Sequence, residues 1–238
     1  MNPLLDIQTI SFELSNICPH SRFHKTCPCS LQKEPSYLES DLILRTFDEM
    51  RKVGWRGSVM FSIYNEPMAD PRFFWLVDEL NWRVPGATLR LWASSYWMTD
   101  EMLRELASHN VRSVGVNFYG EREKKRTLHP PDFMRMEWRG GAHDNRLDLY
   151  NSPPDYRGAL ACGLPFREVV IWHTGKVGLC CREWARSVSF GDLHSQSLVE
   201  VLRGEDRKKF LKRTKAEGRF LDPCTKCNHE LEGIDEIH

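Results

Sequence analysis

Most of the chemistry open to this sequence lies in its eight cysteines. They form two sets. Cys18, Cys27 and Cys29 lie near the start with C-x8-C-x1-C spacing, and Cys162, Cys180, Cys181, Cys224 and Cys227 lie far downstream. Thiolates are soft ligands, and clustered cysteines outside an oxidising compartment read as metal sites or reactive thiols rather than disulfides. Cys224 and Cys227 form a CxxC pair, which puts two thiolates on one tight turn. Cys162 and Cys180 supply two more across a predicted hairpin. Four thiolates suit a [4Fe–4S] cluster or zinc. The wide first pair departs from the two CxxC knuckles of a zinc ribbon. His20 and His24 share the first loop and are further candidate ligands, although loop-stabilising roles explain them as simply.

Bulk properties narrow the partners. The chain has 238 residues, enough for one large domain or two small ones, and 41% are hydrophobic. Lys+Arg and Asp+Glu both total 33, so no cationic excess marks it for nucleic acid or an acidic membrane. The mixed run Glu121 to Arg126 reads as a solvated helix face. The opening MNPLLDIQTISF has no basic, apolar and cleavage regions of a leader, and no apolar run is long enough to span a bilayer. A soluble, cytoplasmic protein is expected.

The elements that must position these thiols alternate. Ile7 to Leu14 predicts a first strand leading into the first cysteine loop. Helix follows over Asp41 to Lys52, ended by Gly54, then strand over Ser58 to Tyr64, broken by Asn65-Glu66-Pro67. Pro71 opens a second helix. Strands are predicted at Thr88 to Ala93, Val111 to Phe118 and Phe133 to Trp138, with a helix capped by Thr99 between the first two. This order implies parallel strands and right-handed crossovers. About five units precede residue 150, short of a closed eight-unit barrel. The expected fold class is therefore α/β: a partial, open β/α TIM-type barrel over residues 1–150. The turn-rich Asn151 to Gly158 links it to a small second domain over 151–238. That domain should hold a hairpin around His173-Thr174-Gly175 and a helix over Leu198 to Lys215.

The downstream pattern C-x(9–15)-G-x4-C, a gap, then CxxC is met by Cys162, Gly175, Cys180, Cys224 and Cys227, with Gly191-Asp192-Leu193 in support. It resembles the twitch domain, the shortened SPASM domain of radical S-adenosylmethionine (SAM) enzymes. The resemblance implies that Cys162, Cys180, Cys224 and Cys227 hold one auxiliary [4Fe–4S] cluster. Glu13 to Cys18 is similar to that family's approach to its first cysteine, although members usually continue as C-x3-C-x2-C. The resemblance implies a second [4Fe–4S] cluster on Cys18, Cys27 and Cys29, its fourth iron left for SAM. Tyr64-Asn65-Glu66-Pro67 resembles the motif whose backbone (Asn65) and carboxylate (Glu66) hold the SAM amino group. Ser94 after the third strand and Arg139 after the fifth match positions that also face SAM, and Asn117, a polar break on the fourth strand, is a candidate for the SAM ribose.

The function so implied is reductive cleavage of SAM to a 5′-deoxyadenosyl radical. That radical would take a hydrogen atom from a small polar substrate: a sugar, a cyclitol or another natural product. In short dehydrogenases of the 2-deoxy-scyllo-inosamine type, with one twitch cluster, which the chain resembles, the outcome is a two-electron alcohol oxidation. Flavodoxin or ferredoxin would supply electrons. Cys181 is left over by both ligand sets; it is either a small buried hydrophobe or a hydrogen donor in an epimerisation. Peptide maturation is a third enzymatic reading. A non-catalytic zinc or iron–sulfur module is the competing class. Trp92, Tyr96, Trp97, Tyr119 and Trp138 fall near strand ends and are candidate pocket residues.

Overall fold

Alternation along each strand decides which side of the sheet meets the helices. The structure, a computed structural model, describes residues 2–22, 25, 27–31, 34–118, 128–140, 162–222 and 224–227. The strands are β1 (Thr9–Phe12), β2 (Ser58–Met60), β3 (Thr88–Ser94), β4 (Ser113–Phe118), β5 (Arg135–Gly140), β6 (Glu168–Ile171), β7 (Lys176–Gly178) and β8 (Ser189–Asp192). They form one open sheet in the order β5-β4-β3-β2-β1-β6-β7-β8. β1 to β6 run parallel, and β7 and β8 are antiparallel. β6 pairs directly with β1, Ile10 opposite Val169, so one sheet runs through both cysteine sets.

The helices are α1 (Ser40–Lys52), α2 (Phe73–Arg83), α3 (Asp100–Ser108), α4 (Leu164–Arg167), α5 (Leu198–Arg203) and α6 (Glu205–Glu217). α1 buries Leu42, Ile43, Thr46, Phe47 and Met50, one stripe at helical spacing. Ile10, Phe12, Val59, Phe61, Leu89, Leu91, Val114 and Val116 join that core. At its centre Phe12 meets Phe47 at 5.6 Å and Phe61 at 6.0 Å, ring edge to ring face. The alternate residues face the other way. That inner face is polar: Ser11 and Glu13 on the β1 path, Glu168 on β6, Ser94 on β3.

Several boundaries differ from expectation for local reasons. β2 stops at Met60, because Asn65 folds the following chain back: its side chain accepts from Ile63 N–H at 3.0 Å and donates to Phe61 C=O at 3.0 Å. α2 begins at Phe73 rather than Pro71, because Asp70 Oδ1 accepts from Arg72 N–H at 2.9 Å and holds a separate turn. The helix expected over Leu198 to Lys215 is two, broken at Gly204, whose ψ of 142° is extended. β8 is a strand the sequence reading leaves out. Gly54 at φ 62° and the Thr99 cap, accepting from Met102 N–H at 3.1 Å, are as expected. The Glu121 to Arg126 run and the Asn151 to Gly158 linker lie outside the described residues. Among the described residues no helix is long and apolar enough to cross a membrane.

Candidate active site

The first cysteine loop leaves the end of β1 and is tied at its base. Leu38 N–H donates to Leu14 C=O at 2.9 Å. Asn16 then clamps the returning chain, its Nδ2 donating to Glu34 C=O and its Oδ1 accepting from Ser36 N–H, both at 2.8 Å. Arg72, held by Asp70 at 2.8 Å, also donates to Leu38 C=O. Inside this frame Cys29 is buried, with the Cys18 and Cys27 thiols both within hydrogen-bonding reach. Those two thiols, then burial, push the Cys29 thiol far above its ordinary range. Three thiols therefore gather where the chain leaves the carboxyl end of a parallel strand, the usual place for function in such sheets. They fit a metal cluster held from one side, although among the described residues no three His, Cys, Asp or Glu side chains are arranged around a single metal ion. His20 is buried, its ring edge-on to Tyr96 at 6.1 Å, and so packs within the loop. His24 lies outside the described residues.

Glu66 joins this loop directly: its backbone N–H donates to the carbonyl of Ile17, next to Cys18, at 2.8 Å. Its carboxyl is 3% exposed. Oε2 accepts from Ser94 N–H at 2.9 Å, and Oε1 accepts from Met68 N–H at 3.3 Å, capping the turn Pro67–Ala69. Burial nevertheless pushes it up to about 7, the two N–H donors only partly offsetting the loss of water. A buried carboxyl in this state gains from a cationic neighbour. Strand register then sets Ser94 opposite Asn117 and Asn117 opposite Arg139, so three residues chosen separately from sequence share one row across β3, β4 and β5. Asn65 turns the chain with its side chain, which leaves its backbone as the group available to a ligand.

The second set is built differently. Cys162, Cys180, Cys224 and Cys227 all line one cavity of about 450 Å³ of empty space, part of it open to solvent, walled by Leu179 and Phe210. Burial pushes Cys180 well above its ordinary value and Cys162 upward; burial, then Cys227 and Cys162, push Cys224 up to about 12. Arg219 is 3% exposed, donates to Cys227 C=O, and its charge pulls Cys162 and Cys224 the other way. Four thiols and a buried cation around one apolar space fit an anionic, thiolate-held cluster.

Two further contacts join the halves. Glu13, fully buried, accepts from Arg186 Nη2 at 2.7 Å and lies 2.7 Å from His173 Nδ1. Arg186 is held at φ 54°, a left-handed backbone that costs a non-glycine residue of the order of 1 kcal/mol. The Tyr64 hydroxyl donates to Cys181 C=O at 2.6 Å. Cys181 itself lies against Glu168, to which both its thiol and its backbone N–H are directed.

Residues 162–228 match the model of the SPASM family, an iron–sulfur cluster-binding domain. The match starts at Cys162 and ends one residue after Cys227, enclosing the whole second set. Against solved structures, the chain aligns with BtrN in complex with AdoMet and 2-DOIA at 20% identity, covering 94% of this chain and 93% of that one, with a TM-score of 0.79. The chain has the fold of BtrN.

BtrN in an open conformation aligns at 16% identity over 94% and 92%, with a TM-score of 0.74. Native anSMEcpe with bound AdoMet aligns at 12% identity over 93% and 86%, TM-score 0.52. No curated protein matches the chain. The BtrN fold bears out the open β/α sheet expected from sequence. Residues that sequence reasoning missed are Glu13 as a junction, His173, Arg186 and Glu168. The available signal was phase: Thr9, Ser11 and Glu13 alternate with Ile10, Phe12 and Leu14, which puts a charge on the face away from the helices. Of the expected pocket aromatics, Trp138 stacks on Phe118 at 5.1 Å and Tyr96 is exposed; Tyr119 lies outside the described residues.

Proposed function

We propose that this chain is a radical SAM enzyme that oxidises a hydroxyl of a small polar substrate by two electrons. One observation carries the reading. The Cys18, Cys27 and Cys29 thiols meet in a loop whose Ile17 carbonyl accepts from the backbone N–H of Glu66, a residue with a buried carboxyl. Cys18, Cys27 and Cys29 would hold one [4Fe–4S] cluster and Cys162, Cys180, Cys224 and Cys227 an auxiliary one. When bound, the first cluster and SAM supply hydrogen-atom abstraction from an unactivated carbon.

The chain's own residues bind and orient. Glu66, ionised by the approach of an ammonium, would hold the SAM amino group. Ser94 keeps that carboxyl in place through its N–H and lies in the row that Asn117 and Arg139 continue. Tyr64 and Glu13 hold the second cysteine set against the inner face of the sheet and help to close it to water. The likeness to BtrN, solved with AdoMet and 2-DOIA, supports SAM as cofactor and a small-molecule substrate.

A second reading, epimerisation, draws on the place of Cys181 on that inner face, against Glu168. The deciding experiment is anaerobic reconstitution with iron and sulfide, followed by iron counting and electron paramagnetic resonance with and without SAM. Two clusters and a SAM-perturbed signal are expected. A single cluster with no response to SAM would leave a non-catalytic iron–sulfur protein.

A further inference from the structure

A cluster held by thiolates takes its reduction potential from the net charge around it, the hydrogen bonds to its sulfurs and its exposure to water. The second cysteine set carries structure for all three. Arg219 lines the same cavity as Cys162, Cys180, Cys224 and Cys227. The end of α6 puts it there: Gly218, at φ 70°, turns the chain while its N–H donates to Thr214 C=O at 3.0 Å. The next residue, Phe220, is pinned, its ring 5.4 Å from that of Phe210 and the Arg213 guanidinium 3.9 Å from its centre. Arg219 is itself buried and donates through Nη1 to the carbonyl of Cys227. The backbone adds two N–H groups, that of Leu164 directed at the Cys162 thiol and that of Arg182 at the Cys180 thiol. Leu179, Phe210 and Phe220 supply apolar wall.

We propose that the Arg219 guanidinium raises the reduction potential of an auxiliary cluster on these four thiols and so makes that cluster an electron acceptor. Arg219 acts through the cluster rather than on the substrate, as a positioning residue. Each electron taken up adds negative charge to a buried, apolar space, where a fixed cation at the wall stabilises the reduced form more than the oxidised one. A guanidinium keeps its charge throughout the working pH range. Its field already reaches the ligands, pulling the Cys162 and Cys224 thiols downward, with Arg167 adding to it at Cys162. The opposing charges are Glu183, felt at Cys224, and Glu168, felt at Cys180. Burial pushes both carboxyls upward, toward their neutral forms, so the balance around the cavity favours the cation. In the oxidation proposed above, the hydroxyl-bearing carbon radical becomes a carbonyl by losing one electron and the hydroxyl proton. The electron would reduce the auxiliary cluster, and the proton would pass to water.

This inference rests on the two-cluster reading, and its test separates the two. Wild-type, R219K and R219Q proteins would be reconstituted anaerobically, counted for iron, and titrated with dithionite and redox mediators while paramagnetic signals are recorded with and without SAM. The signal missing from C224S is that of the auxiliary cluster. R219Q should lower the reduced-to-oxidised ratio of that cluster at a fixed potential at least about tenfold, a fall of about 59 mV for one electron. R219K, which keeps the charge, should stay within about threefold of wild type. The first cluster should keep its midpoint, and all three proteins should keep about eight irons per chain. An auxiliary midpoint in R219Q within about twofold of wild type would overturn the assignment. So would equal shifts in R219K and R219Q, or equal shifts at both clusters. Loss of the auxiliary iron from R219Q would overturn it too, by showing that Arg219 holds the cluster rather than sets its potential, and so would zinc in place of iron at the four thiols of wild type. Absence of a SAM response in wild type would instead end the enzymatic reading, while the R219Q shift would still establish the role of Arg219.

Discussion

The two cysteine sets arrange the same thiol groups in opposite ways. The first gathers three thiols in a loop fastened at its base through Leu14, Asn16 and Arg72, and sets a residue with a buried carboxyl, Glu66, beside it. The second draws four thiols from residues 162 to 227 around one apolar cavity and adds a buried arginine. An incomplete set with a charged neighbour is arranged to take a further ligand. A complete set with its own countercharge is arranged to be closed. Metal sites elsewhere divide in this way, with structural sites saturated by protein and catalytic ones left a position short.

The comparison breaks most completely at the ligands. C29S should abolish SAM cleavage and lower bound iron from about eight to about four per chain, because a three-thiolate site has no spare ligand. C224S should lose a similar amount of iron yet retain the SAM-perturbed signal of the first cluster. If either variant lost both clusters, the sets would not be independent. The next largest effect is expected at the seam. R186A removes the guanidinium from fully buried Glu13 and leaves its side chain bonded to His173. Breaking a buried pair in this way costs about 3–5 kcal/mol, read as a shift in the denaturant midpoint. The loss should be relieved in the double variant with E13Q, which removes the stranded charge.

Glu66 sharpens the functional half of the comparison. Its carboxyl is pushed up to about 7 by burial, above the ordinary carboxylate value of 4.5. The folded state therefore holds a proton that the unfolded chain releases. Stability from this residue should fall as pH rises from about 4.5 to 7, where a buried charge must form. Affinity for SAM should move oppositely, rising as pH passes through about 7 and the carboxylate becomes available to an ammonium. E66Q should flatten that pH dependence and weaken SAM binding by roughly 30-fold or more, the effect of losing one partner of a buried charge pair. Equilibrium dialysis across pH 6 to 8 measures both. An unchanged slope in E66Q would remove Glu66 from the SAM site.

What the sequence made legible was whatever is local or chemically rare. Paired cysteines are rare, so their spacing stood out. Ile10 and Phe12 alternate with polar residues, so β1 was readable, and Thr99 caps its helix through a bond only three residues long. Glu66 was readable because Asn65-Glu66-Pro67 breaks an apolar run at a turn. Contacts across the chain were not. Glu13 meets His173 and Arg186 over separations of 160 and 173 residues, and nothing near Glu13 announces either partner. Glu168 opens a short strand, where a charge ordinarily reads as solvent-facing; in the fold β6 pairs with β1 and Cys181 packs against it, and it is buried. The shortened β2 depended on one amide, Asn65, outcompeting sheet pairing for the backbone of Phe61 and Ile63.

The smallest effect is expected at Cys181, where the two sets come nearest to sharing a residue. It adjoins Cys180, a proposed ligand, its carbonyl accepts from Tyr64, and its thiol lies against Glu168. If its role is to hold Glu168 and fill space, C181A should leave SAM cleavage and the oxidised product within about twofold of wild type, with a stability loss near 1 kcal/mol. If it instead returns a hydrogen atom to the substrate, SAM cleavage should persist while an epimerised product disappears and an oxidised or uncoupled species accumulates. Product analysis in deuterated water separates the two, because a thiol donor exchanges with solvent and labels the carbon. Oxidation leaves no new C–H bond to label. Deuterium at the reacting carbon of the wild-type product, lost in C181A, would transfer the chemistry from dehydrogenation to epimerisation while leaving both cysteine sets in their proposed roles.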